Sequence, residues 1–119
     1  SDPIRKAELL NIASDCAFLA DNPPATFRQA LQQIHFLFMG LYMESNAGGY
    51  SPGRMDQYLY PYYLHDRAEG ILDDATALEL IECFWIKSND AVWYWDEAGI
   101  KHYAGYCSFQ NVCLGGLDR

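Results

Sequence analysis

Tyr50-Ser51-Pro52-Gly53-Arg54-Met55-Asp56-Gln57-Tyr58-Leu59-Tyr60-Pro61-Tyr62-Tyr63-Leu64-His65-Asp66 is the most informative stretch of this 119-residue chain. It sets a turn, two opposite charges, an amide and five tyrosines side by side. Pro52 fixes its own φ and Gly53 permits positive φ, so the backbone turns sharply before Arg54 and enters a helix with Asp56 near its start. A turn aimed into a helix N-terminus presents side chains and backbone N–H groups to a ligand. The plainer alternative is a rigid loop pinned by an Arg54–Asp56 bridge, with the tyrosines used for packing.

Outward from this stretch, the pattern is helical. Asp2-Pro3 reads as an N-cap followed by proline in the first turn, and Ile4, Ala7, Leu10, Ile12, Ala17 and Leu19 predict an amphipathic helix to about Ala20. Asp21-Asn22-Pro23-Pro24 stops it. Thr26-Phe27-Arg28-Gln29 fits a capping box, so a second helix is predicted from Phe27 to about Glu44. From Ile34 to Met43 that helix is apolar nearly all round, which predicts burial on every side. A third helix is expected from Met55 to Ala68, with Pro61 bending it or splitting off its first turn and Gly70 ending it. Asp73 or Asp74 then caps a fourth, carrying Ala77, Leu80, Ile81, Phe84, Trp85 and Val92 to about residue 97, where Gly99 closes it. Phe109-Gln110-Asn111-Val112-Cys113-Leu114 reads as one short buried strand, although no second strand offers it a neighbour.

Half of the residues are hydrophobic, so a core is affordable, and the net charge of −8 argues against nucleic acid or an anionic membrane as a partner. The longest apolar run, Ala30 to Met43, is interrupted by Gln32, Gln33 and His35 and is too short to span a bilayer. Cys16, Cys83, Cys107 and Cys113 lack zinc-module spacing and are expected as reduced cytoplasmic thiols. His65, Asp66 and Glu69 share a helix face that reads as solvated rather than metal-binding, and the aromatic group around Phe84, Trp85, Trp93, Tyr94 and Trp95 reads as packing. A missing initial methionine, a lone strand and a helix too apolar for its surroundings lead to the expectation that residues 1–119 are a single partial domain, a piece of a larger catalytic fold.

Tyr50–Asp66 resembles the glycyl radical enzymes of the pyruvate formate-lyase family, in particular their dehydratase and decarboxylase branch. Three further stretches agree in order: Pro24-Ala25-Thr26-Phe27 with Ala30-Leu31-Gln32, the run Ala77 to Lys87, and Gln110-Asn111-Val112-Cys113-Leu114-Gly115-Gly116. The resemblance covers nearly the whole chain. It implies that these mainly α residues, about four helices and a short C-terminal strand, are a central slice of a larger ten-stranded α/β barrel, dimeric as the whole protein. It also implies an anaerobic lyase, dehydratase, decarboxylase or formate acetyltransferase-like activity on a small organic substrate. A separate activating enzyme using S-adenosylmethionine and an iron–sulfur cluster would install the glycyl radical, and a thiyl radical on a cysteine in a Gly-Cys-Val-Glu-type loop would take hydrogen from the substrate.

Neither radical loop is in this sequence, and none of its four cysteines has that context, so no catalytic residue, metal or bound cofactor is assigned and this chain alone is expected to be inert. The resemblance implies that Ser51 hydrogen-bonds substrate and Phe109 forms an apolar wall, while Arg54, Asp56, Gln57 and Asn111 hold the loops behind them. Ser51 as a simple turn former is the competing reading. For the whole chain the competing reading is a non-catalytic helical domain that binds a protein partner through its aromatic surface.

Overall fold

A computed structural model describes residues 2–45, 51–88, 96–103 and 111–116. Its helices are α1 (Pro3–Asp21), α2 (Phe27–Ser45), α3 (Met55–Ala68), α4 (Asp74–Ser88) and α5 (Glu97–Tyr103). Helix α2 is central and packs on α1, α3 and α4.

Local capping chemistry places most of the boundaries. Asp2 accepts from the Ile4 amide at 3.0 Å, with Pro3 in the first turn. Thr26 Oγ1 accepts from the Gln29 amide at 3.3 Å, and the Gln29 carboxamide accepts from the Ala25 amide at 3.0 Å, a capping box shifted by one residue. Asp73, rather than Asp74, caps α4 by accepting from the Thr76 amide at 2.7 Å. Helix α3 closes in a Schellman motif: Gly70 sits at φ +68°, its amide donates to the Arg67 carbonyl at 3.2 Å, and the Ile71 amide donates to the Asp66 carbonyl at 2.9 Å.

The core joins one face of each of three helices. Phe27, Ala30, Leu31 and Ile34 from α2 meet Met55 and Leu59 from α3, Leu72 from the connection, and Ala77 and Phe84 from α4. Each large side chain so buried contributes about 1.5–3 kcal/mol. Phe27 packs edge-on to Tyr63 at 6.1 Å, and Phe84 edge-on to Trp85 at 5.6 Å. Trp93, Tyr94 and Trp95 lie outside the described residues.

Several expectations are corrected. Helix α2 is buried along its N-terminal half and at Phe38, while Phe36, Leu37, Met39, Leu41 and Met43 are exposed rather than buried on every side. The apolar residues of α1 do not form a buried face: Ile4, Leu9, Leu10, Ile12 and Phe18 are exposed. Helix α1 is held instead by a polar contact, Asp15, which accepts from Arg28 at 2.8 Å and Gln29 at 3.1 Å at the start of α2. Helix α3 runs through Pro61 unsplit. Gly99 does not terminate α4; it lies in α5, where its amide donates to Asp96 at 2.8 Å, and residues 89–95, Val92 among them, lie outside the described residues. The expected C-terminal strand reduces to one parallel bridge between Val112 and Gly53, since no strand is present among the described residues to extend it.

The surface area fits these corrections. A folded chain of this mass exposes about 6600 Å², whereas this one exposes 8688 Å². Its radius of gyration is 16.6 Å, against about 13.5 Å for a compact domain of this length. The exposed apolar side chains of α1 and α2 are part of that surface. Among the described residues no helix is long and apolar enough to cross a membrane.

One contact between α3 and α4 gives a pH prediction. Tyr63 donates its hydroxyl to Asp74 at 2.6 Å, and that hydrogen bond raises the phenol above its ordinary value. The folded state therefore favours the protonated phenol, so the stabilisation is complete below the ordinary tyrosine range and is lost as pH rises through the raised folded value. Wild-type protein is expected to resist denaturant better than Tyr63→Phe near neutrality, with the difference closing in alkali. A difference that stays constant across that range rejects the link.

Candidate functional site

The turn from Ser51 to Arg54 and the tail from Asn111 to Gly116 form one assembly. Gly53, at φ +71°, turns its carbonyl so that it accepts from both the Met55 amide and the Cys113 amide, each at 3.0 Å. A side chain at this positive φ is strained, which is why Pro52 is followed by glycine. Tyr58, one turn into α3, donates its hydroxyl to the Pro52 carbonyl at 2.8 Å and braces the turn from behind.

Arg54 and Asp56 do not pair with each other. They grip opposite sides of a single residue: Asp56 Oδ2 accepts from the Gly115 amide at 2.6 Å, and Arg54 reaches the Gly115 carbonyl at 3.5 Å. The first of these is a short charge-assisted bond and carries most of the grip. Gly115 and Gly116 both adopt positive φ, +75° and +108°, and a Cβ on Gly116 would stand 3.1 Å from the Arg54 guanidinium. The glycine pair lets the tail come this close. Asp56 is the second residue of α3, where the positive end of the helix favours a carboxylate. Its other oxygen, Oδ1, is shut off from solvent and has no hydrogen-bond partner among the described residues.

Arg54 and Asp56 meet at Gly115, close to the Gly53–Val112 bridge that joins the turn to the tail. Ser51 is exposed at the mouth of the turn, Gln57 is half-buried on α3, and Asn111 is exposed beside Val112. Phe109 lies outside the described residues. Beside the clamp runs an apolar groove of about 290 Å³, bounded by Phe27, Met55, Tyr60, Ile81, Trp85 and Leu114, with Asp56 at its edge. Cys16, Cys83 and Cys113 are unpaired thiols, and none of them lines the groove. No cluster of three or more metal-ligating side chains is present among the described residues.

Asp66 was misplaced by the sequence reading. It is not part of a solvated face: at 2% exposure it is the most buried polar residue among the described residues, and its Oδ2 accepts from the Phe27 amide at 2.7 Å. It thus caps α2 from α3. The available signal was its position on the stripe Met55–Leu59–Tyr62–Asp66, an acid in line with core residues. His65 and Glu69, by contrast, are exposed.

The family model for pyruvate formate lyase-like proteins matches residues 1–119. Isethionate sulfite-lyase of Bilophila wadsworthia is 38% identical over 118 residues, 98% of this chain and 14% of that enzyme. A solved structure on 1,2-propanediol dehydration in Roseburia inulinivorans is 43% identical, with a TM-score of 0.92 over 98% of this chain and 14% of its own. A glycyl radical enzyme from Archaeoglobus fulgidus superimposes with a TM-score of 0.89 at 34% identity, covering 99% of this chain and 15% of its own. This chain therefore spans about 14% of the length of the relatives it matches. From a match over every residue and a backbone shared with solved members, the chain belongs to the pyruvate formate lyase-like family of glycyl radical enzymes.

Proposed function

We propose that residues 1–119 are part of a glycyl radical dehydratase or lyase, and that they supply part of the wall of its substrate pocket. The observation that carries this is the clamp, which ties the Ser51–Gln57 turn to the Asn111–Gly116 tail through Gly115 and Gly53. Two segments about sixty residues apart in sequence act as one rigid edge, with Ser51 at its exposed mouth.

In this reading Ser51 hydrogen-bonds a polar group of the substrate and Phe109 forms an apolar wall. Arg54 and Asp56 fix the backbone that carries them; Gln57 and Asn111 support the same backbone. The radical supplies hydrogen-atom abstraction in the whole enzyme, installed by an activating enzyme. Residues of this chain bind and orient, and none is assigned a step in the chemistry. The relatives' names, isethionate sulfite-lyase and 1,2-propanediol dehydration, point to small oxygen-bearing molecules as the substrate class. We extend the reading to the ten-stranded barrel, to a dimer and to a cytoplasmic location.

The test uses the full-length enzyme after activation. A glycyl radical signal in electron paramagnetic resonance and turnover of a small hydroxylated or sulfonated substrate are expected; failure to form the radical rejects the assignment. Ser51→Ala is expected to lower kcat/KM about tenfold, the effect of losing one hydrogen bond of about 1–1.5 kcal/mol, with radical content unchanged. An unaltered kcat/KM removes Ser51 from the pocket.

A further inference from the structure

We propose that the apolar groove beside the clamp is closed by a segment of the same polypeptide lying outside residues 1–119, apolar where it meets Phe27, Tyr60, Ile81 and Trp85, and bearing one hydrogen-bond donor that pairs with Asp56 Oδ1. This rests on the reading of the chain as part of a larger enzyme and names how that remainder meets the candidate site.

Three observations converge on it. The groove is lined almost wholly by apolar and aromatic side chains with Asp56 as its one charged residue, so its occupant is matched by an apolar surface with a polar point. Asp56 Oδ1 is buried from solvent and has no hydrogen-bond partner among the described residues, and a buried carboxylate oxygen in that condition is rare unless another group completes it. Asp56 cannot turn that oxygen elsewhere, because Oδ2 is committed to the Gly115 amide at 2.6 Å. Leu114, which lines the same groove, is 74% exposed and so leaves apolar surface there for an occupant to meet. The occupant is more of the same protein because the relatives continue for about six-sevenths of their length beyond the part matched here, and 8688 Å² is more surface than a closed fold of this mass leaves bare. A donor seated on Asp56 connects the remainder of the enzyme to the residue that holds the Ser51 turn.

The experiment is site-resolved labelling of the full-length enzyme, unactivated and without substrate, with N-ethylmaleimide read out by mass spectrometry. Tyr60 is exposed in this chain, so Tyr60→Cys tests the cover directly. It is expected to react about a hundredfold more slowly in native than in urea-unfolded enzyme. Native labelling within about threefold of the unfolded rate overturns the proposal. Leu114→Cys gives the same reading if Tyr60→Cys does not fold. Adding Asp56→Asn keeps one oxygen for Gly115 but turns an N–H₂ toward the incoming donor, so protection at position 60 is expected to fall about tenfold. Unchanged protection overturns the donor contact. Because the labelling needs neither radical nor substrate, a protected groove in an enzyme that forms no radical would reject the proposed function and leave this inference standing, whereas an active enzyme with an open groove would do the reverse.

Discussion

Asp66→Ala is expected to accelerate hydrogen exchange at the start of α2 about a hundredfold, without comparable change in α5. Asp66 is 2% exposed and accepts from the Phe27 amide at 2.7 Å. The first amides of a helix have no partner within it, and an acidic cap is worth about 1–2 kcal/mol. Here the cap is buried, so its removal also leaves the Phe27 N–H desolvated and unmatched, and we take about 3 kcal/mol for the two together. Each 1.4 kcal/mol is tenfold, which gives the hundredfold figure. His65 also contacts Asp66, at 3.1 Å, but its ring is largely in solvent and adds little. Asp66→Asn keeps an acceptor and is expected to lose less than the alanine variant. The measurement is peptide-level exchange over residues 25–31 in the full-length enzyme; equal rates in wild type and Asp66→Ala would show that Phe27 is held by packing alone.

This bond also marks the limit of what the sequence discloses. The helix starts at Pro3, Phe27 and Asp74 were legible because each depends on a side chain within three residues of the amide it caps. The bounds of α3 were legible from local backbone chemistry instead, with Pro52-Gly53 before it and Gly70 after it, since Arg54 makes no side-chain cap. Asp66 caps an amide thirty-nine residues away, and no local rule ranks it above Asp73 or Asp74. Gly99 misled because glycine more often follows a helix than sits in its first turn, where Asp96 compensates for it. The exposed sides of α1 and α2 could not be foreseen from periodicity, which says that a face is apolar but not whether its partner is in the same stretch of chain.

At the candidate site, residue types and spacing marked Ser51 to Gln57 as unusual, but they offered an Arg54–Asp56 pair. The structure gives both side chains to Gly115 instead. A backbone amide carries no signature in the sequence, so a carboxylate that serves one is invisible until the fold brings them together. Only the glycine pair Gly115-Gly116 hinted that the tail had to approach something closely.

In the full-length enzyme, Asp56→Ala is expected to reduce kcat/KM about a hundredfold, more than Ser51→Ala, although Asp56 is assigned no contact with substrate. The reason is positional. Asp56 Oδ2 holds the Gly115 amide at 2.6 Å, and the Arg54 contact at 3.5 Å is too long to hold the tail alone. Releasing Gly115 loosens the Gly53–Val112 bridge and with it the backbone that presents Ser51. A displacement of about 1 Å in a group that positions substrate costs on the order of a hundredfold. Gly115 lies in an exposed tail outside the helical core, so losing its bond to Asp56 is expected to change global stability less than activity. Asp56→Asn, which retains an acceptor for Gly115, is expected to recover much of the lost rate. The deciding comparison is the double variant Ser51→Ala/Asp56→Ala. If Asp56 acts by placing Ser51, the double variant is no worse than Asp56→Ala, since a misplaced serine has nothing further to lose. Losses that multiply would mean that Asp56 and Ser51 act independently, and the clamp would then have no part in positioning the substrate.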